Sequence, residues 1–165
     1  MKRLTAMLAA TLMAVVAVAD DAGQRVDFDL FATAQAIGDG RIDPRPGDGE
    51  TLLLQFWASW CHSCGTLMWD MDELVSRYDG LRYVAVSIDD DPIDARVYIR
   101  KHSLFEKYHD RYFVDSEKAL SASLGVKTVP TIMVVNQDGQ VLVRKSGHLN
   151  AADFQDIVTA MRAAD

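Results

Sequence analysis

The chain has 165 residues, 49% of them hydrophobic, with 17 basic against 24 acidic side chains and a formal charge of -7. That length predicts one domain with a sizeable core, and the ordinary apolar content excludes a disordered chain or a multi-span membrane protein. Acidity without a basic cluster excludes a nucleic-acid binder.

Residues 1–19 open with Met1-Lys2-Arg3, continue through an apolar run from Leu4 to Val18, and end in Ala17-Val18-Ala19. A basic start, an apolar stretch and a small-x-small end predict a cleaved signal peptide, with Asp20 as the first mature residue. The alternative, an uncleaved membrane anchor, has an apolar run somewhat short for a span. Export places the chain where disulfides persist. Residues 20–49 are expected to form an N-terminal extension. Val26, Phe28 and Leu30 alternate as in a short edge strand, and the Gly- and Pro-bearing stretch from Gly38 to Glu50 predicts a surface loop.

Residues 50–165 carry the main pattern. Leu52 to Trp57 predicts a buried strand, Thr66 to Tyr78 a helix, and Leu81 to Ile88 a second buried strand. Asp89-Asp90-Asp91 then predicts a solvated loop before a helix from Pro92 to His102, with Ile93, Val97 and either Ile99 or the Arg100 stem facing inward. Arg111 to Val114 is a short strand. Ser116 is expected to cap a helix from Glu117 to Leu124 that Gly125 terminates. Ile132 to Val135 and Val141 to Arg144 form a hairpin around Asn136-Gln137-Asp138-Gly139, and Asn150 caps a last helix. Alternating strands and helices followed by a hairpin predict an α/β fold with a mixed sheet.

Cys61 and Cys64 are the chain's two cysteines, and they sit where the first buried strand runs into a helix. Unpaired N–H groups and the positive helix end favour a thiolate on Cys61, and Cys64 lies about one turn on, within reach of a disulfide. Such a pair supports thiol–disulfide exchange, with Cys61 as nucleophile and Cys64 as resolving thiol. A structural disulfide closing so short a loop would remove little unfolded-chain entropy. A structural zinc site needs four ligands, and His62, His102, His109 and His148 show no finger-like spacing. His62 beside Cys61 would favour the thiolate as an imidazolium, or stand exposed with little effect. Trp60 offers a flat surface next to the sulfur.

Phe56-Trp57-Ala58-Ser59-Trp60-Cys61-x-x-Cys64, the distant Val129-Pro130-Thr131, and Asn136-x-Asp138-Gly139 together resemble the thioredoxin superfamily. Within it, the chain is similar to the exported thiol–disulfide oxidoreductases of the TlpA/ResA type. The resemblance implies a three-layer thioredoxin-like fold, a mixed central sheet flanked by helices. It also implies a cis Pro130 against the cysteines, with Val129, Pro130 and Thr131 shaping a substrate groove that Trp60, His62 and Ser63 complete and tune. No cofactor and no metal are implied. The expected partners are a substrate protein with cysteines and a membrane-bound redox donor, in the periplasm, with the chain acting as reductant. Three positions depart from the family pattern: Trp69 where proline is frequent, Gln55 at a buried acid, and Leu67 at another acid. No general base for Cys64 is therefore evident. Two rival functions remain on this reading. One is a copper chaperone of the same fold, since two thiolates and a histidine suit Cu(I). The other is a redox-inert domain that binds extended peptides.

Overall fold

A computed structural model describes residues 23–38, 40–102 and 110–163. The signal-peptide segment 1–19 and His109 lie outside the described residues. Six strands form one sheet: β1 (Gln35–Ala36), β2 (Thr51–Trp57), β3 (Leu81–Ser87), β4 (Tyr112–Val114), β5 (Thr131–Val135) and β6 (Val141–Ser146). Their order across the sheet is β1-β4-β3-β2-β5-β6. β2 runs parallel to β3 and β3 to β4, whereas β1, β5 and β6 pair antiparallel with their neighbours. The sheet is therefore mixed, as the element order predicts.

Every residue of β2 is buried, the polar Thr51 and Gln55 included, which is why its sequence is a near-continuous apolar run instead of an alternation. Successive side chains still point to opposite faces. Leu53 and Trp57 join one core cluster with Met68 and Met71 of α1 (His62–Arg77), Ala95 and Ile99 of α2 (Pro92–Lys101), and Ile157 and Met161 of α4 (Ala151–Ala163). Leu52, Leu54 and Phe56 join the other, with Leu120 of α3 (Ala119–Ser123) and Phe31 of a 3-10 turn, Phe28–Ala32. Helices on both faces of the sheet make the three-layer thioredoxin-like architecture.

Several local expectations change. The alternation at Val26, Phe28 and Leu30 is not a strand: Asp27 accepts a hydrogen bond from Asp29 N at 3.0 Å and caps the 3-10 turn, which buries Phe31. The first strand comes later, where Gln35 and Ala36 pair with Val114 and Phe113. The segment thus crosses the sheet. Val26 N donates to Gly139 O and Val141 N to Gln24 O at one edge, before β1 closes the other. α1 begins at His62, four residues ahead of the expected start. On α2, Ala95 and Ile99 face the core while Ile93 and Val97 are exposed. Ser116 does not cap α3: the N-cap position is Lys118, at φ +58°, and the Asp115 carboxylate three residues earlier accepts from Leu120 N and Ser121 N, at 3.3 and 2.7 Å. Gly125, at φ +60°, closes that helix as expected, with Val126 N bonded to Ser121 O. Asn150 caps α4 by accepting from Ala152 N and Asp153 N.

Candidate active site

β2 ends at Trp57, a turn through Ala58, Ser59 and Trp60 follows, and Cys61 is the N-cap of α1. Its backbone is extended there, at φ -87° and ψ 103°, and no side chain caps the helix. The first-turn N–H groups and the positive end of the helix therefore converge beside the Cys61 sulfur, an arrangement that stabilises a thiolate. Cys61 and Cys64 are joined by a disulfide. Cys61 is 6% exposed and Cys64 0%, so an incoming sulfur meets Cys61 first.

Two grooves flank the pair. One, of about 490 Å³, is lined by Trp60, Cys61, Gly65, Trp69, Tyr98 and His102. Its aromatic rim is open to solvent, with Trp60 69% and Trp69 49% exposed. The Tyr98 ring lies 5.3 Å from that of buried Trp57 and 4.3 Å from that of His102. Burial pushes the Tyr98 hydroxyl's pKa upward, keeping it a neutral donor. The second groove, of about 350 Å³, is lined by Ser63, Leu67, Pro130, His148, Leu149 and Phe154. His62, Thr66 and Asp70 open onto both. Desolvation, and then the charge of Glu73, raises the Asp70 carboxyl above its ordinary pKa.

The Val129–Pro130 peptide is cis, as the family resemblance implies. Pro130 is buried against the second groove, and its carbonyl accepts from Gly147 N at 2.8 Å. Thr131 is turned inward: its hydroxyl lies 2.8 Å from both Thr128 O and Ser146 Oγ. It thus braces the Pro130 turn from behind, and Val129 packs partly buried against both cores. Trp60 and His62 thus share one groove with Cys61, and His62 and Ser63 share the other with Pro130. Among the described residues no three His, Cys, Asp or Glu side chains gather closely enough to hold a metal ion.

The structure adds roles that local sequence reading did not give. Tyr98 and His102 reach the groove that holds Cys61 from α2 and its C-terminal end, and His148 and Phe154 reach the groove that holds Pro130 from the β6–α4 turn and α4. Asp89 is the sharpest difference. Of the acidic triplet, Asp90 is exposed and pairs with Lys118 at 2.8 Å, and Asp91 caps α2, but Asp89 is 2% exposed. Its carboxylate accepts from Ser59 N at 2.9 Å, Ser59 Oγ at 2.8 Å and Ser87 Oγ at 2.6 Å.

A disulfide-bonded cysteine pair at the start of a helix, on a mixed sheet layered between helices, defines a thioredoxin-fold protein by class. Residues 49–141 match the family model described as thioredoxin-like, and the chain belongs to that family. It is 26% identical over 118 residues to the thiol-disulfide oxidoreductase ResA of Bacillus thuringiensis subsp. konkukian, covering 70% of this chain and 66% of that protein. It is 29% identical over 113 residues to the thiol:disulfide interchange protein HelX of Rhodobacter capsulatus, covering 68% of this chain and 58% of HelX. The match thus spans less than two thirds of these relatives. A solved structure from Chlorobium tepidum, assigned to the thiol:disulfide interchange proteins DsbE, is similar with a TM-score of 0.59 and 27% identity, covering 68% of this chain and 81% of that one.

Proposed function

We propose that the chain is an exported thiol–disulfide oxidoreductase that reduces disulfides in protein substrates. The observation that carries this reading is the Cys61–Cys64 pair itself, with Cys61 at the uncapped N-terminus of α1 and grooves on either side. In the reduced protein the Cys61 thiolate attacks one sulfur of a substrate disulfide. The other substrate sulfur leaves and takes up a proton. The Cys64 thiol then loses its proton and attacks Cys61 Sγ, releasing the second substrate sulfur as a thiol. Two electrons and two protons pass to the substrate, and the chain is left with its disulfide. Only two cysteines are present, so an external dithiol, supplied by a membrane-bound donor, must restore the thiols.

Export to the periplasm is supported by the basic and apolar pattern of residues 1–19. No helix among the described residues is long and apolar enough to cross a membrane. The substrate chain is expected across the face formed by Trp60, Cys61, His62, Ser63 and Pro130, with the backbone next to Val129–Pro130 open to pair with it.

The test is the equilibrium reduction potential of the pair in dithiothreitol or glutathione buffers, with a Cys64→Ser variant as companion. A potential near about -270 mV supports a reductant, whereas a value near about -120 mV assigns the oxidant direction. Cys64→Ser is expected to accumulate a mixed disulfide through Cys61. Failure of the folded protein to exchange with any thiol or disulfide would overturn the reading in favour of an inert peptide-binding domain.

A further inference from the structure

We infer that Asp89 is a positioning residue for Cys61, and that its buried charge holds the Cys61 thiol less acidic than the helix terminus alone would make it. The inference rests on the exchange chemistry proposed above, and it starts from an anomaly. A carboxylate 2% exposed is costly unless donors surround it. Here they do: Ser59 N and Ser59 Oγ come from the turn that delivers the nucleophile, and Ser87 Oγ from the end of β3.

Ile88 N donates to Trp57 O at 2.8 Å, which carries the β2–β3 pairing one residue past the end of β3. Asp89 then takes hold of the next part of the turn through Ser59 N and Ser59 Oγ, and is itself held by Ser87 Oγ. Ser87 Oγ also accepts from Asp89 N at 2.9 Å. Beyond Ser59, Cys61 N donates to Ala58 O at 3.1 Å. Hydrogen bonds from β3 thus fix Ser59, and the backbone of Ala58 next to it accepts from Cys61 N. Ser59 and Cys61 line the same groove, and the carboxylate is bonded to Ser59, two residues before the reactive sulfur.

A negative charge there disfavours a second negative charge on Cys61. The other charged and titratable groups on this side are His62 and Asp70 of α1, Tyr98 of α2 and His102 at its C-cap, Asp90 and Asp91 before α2, and Lys118. The Lys118 ammonium is already engaged by Ile88 O and Asp90, at 2.5 and 2.8 Å. Asp89 is the one whose oxygens touch the turn itself. Because a less acidic Cys61 makes the reduced pair less favourable as thiolate, the charge pushes the couple toward the reducing direction.

The experiment compares Asp89→Asn with Ser59→Ala in the full reduced protein, reading thiolate absorbance and the pH profile of Cys61 alkylation. Asp89→Asn keeps the shape and removes the charge. It is expected to raise the Cys61 acid dissociation constant about three- to tenfold and the potential by up to about 30 mV. Ser59→Ala keeps the charge and removes one donor, and is expected not to make Cys61 more acidic. An unmoved Cys61 titration in Asp89→Asn, or an equal acidification in both variants, would overturn the inference and leave Asp89 a purely structural clamp. Thiolate absorbance reports on Cys61 whether or not a protein substrate is reduced, so loss of the oxidoreductase reading is scored separately, by absence of exchange in the unaltered protein.

Discussion

The Tyr83 hydroxyl donates a 2.8 Å hydrogen bond to Gln55 Oε1 inside the sheet face that carries α1, with both residues buried. Burial first, and then the neighbouring Tyr112 and Asp72, drives the Tyr83 pKa well above its ordinary value, so the phenol stays a donor. Removing it by Tyr83→Phe strands a buried carbonyl oxygen and is expected to cost about 1–3 kcal/mol in a denaturant titration. Gln55→Leu combined with Tyr83→Phe is expected to cost less than the two single changes added. Strict additivity would show that the pair does not act as a unit.

Gly65 follows Cys64 inside α1, and a Cβ built there would overlap the Tyr98 hydroxyl oxygen. Alanine normally gains about 1 kcal/mol over glycine in a helix. Gly65→Ala is instead expected to destabilise by about 1–3 kcal/mol through overpacking, read as a lower thermal midpoint. Adding Tyr98→Phe removes the clashing oxygen and is expected to restore most of the loss.

Trp69 stands 49% exposed on the rim of the aromatic groove, and no described hydrogen bond depends on its indole. Trp69→Ala is expected to lower kcat/KM for insulin reduction about five- to tenfold, equivalent to about 1–1.4 kcal/mol of transition-state binding. The rate with a small aromatic disulfide should stay unchanged. Equal losses on both substrates would show that the indole acts on the sulfur and not on the substrate chain.

Acid stability has a defined contributor in Glu50. The Gly47 N–H donates to its carboxylate at 2.8 Å, and Arg82 adds two bonds at 2.8 and 2.6 Å, which outweigh desolvation and hold the Glu50 pKa low. A folded pKa below the unfolded one stabilises above the unfolded value of about 4.3 and is lost as pH falls through the folded value. Glu50→Gln should therefore be less stable than the parent at pH 7, by no more than about 1 kcal/mol for a pair this open to solvent. The two should converge in the acid range.

The core of the site was legible in the chain because its chemistry is written locally. Cys61 and Cys64 are separated by two residues, and the buried run of β2 points straight into them. Pro130 needed the family resemblance, since proximity across some 65 residues leaves no local mark. Asp89 and Tyr98 were not legible, for a physical reason: an aspartate in an acidic triplet and a tyrosine on a polar helix have surface composition. Their burial is decided by partners at Ser59, Ser87 and Trp57 that only the folded sheet brings near. The misplaced first strand has the same origin. Asp27 and the pull of Phe31 toward Phe113, 5.7 Å between ring centres, outweigh an apolar alternation that spans too few residues to hold a strand.

The crossing of the sheet by residues 24–36 has a consequence for handling the protein. Gln24 and Val26 bond the start of the hairpin at one margin, and Gln35 and Ala36 shield β4 at the other. β4 is Tyr112-Phe113-Val114, all buried. A protein trimmed to begin at residue 50 would retain both cysteines and lose this strap, exposing a short, flat, apolar strand with unused backbone donors and acceptors. Such a truncation should form strand-paired oligomers whose proportion grows with concentration, while the strapped chain stays dispersed.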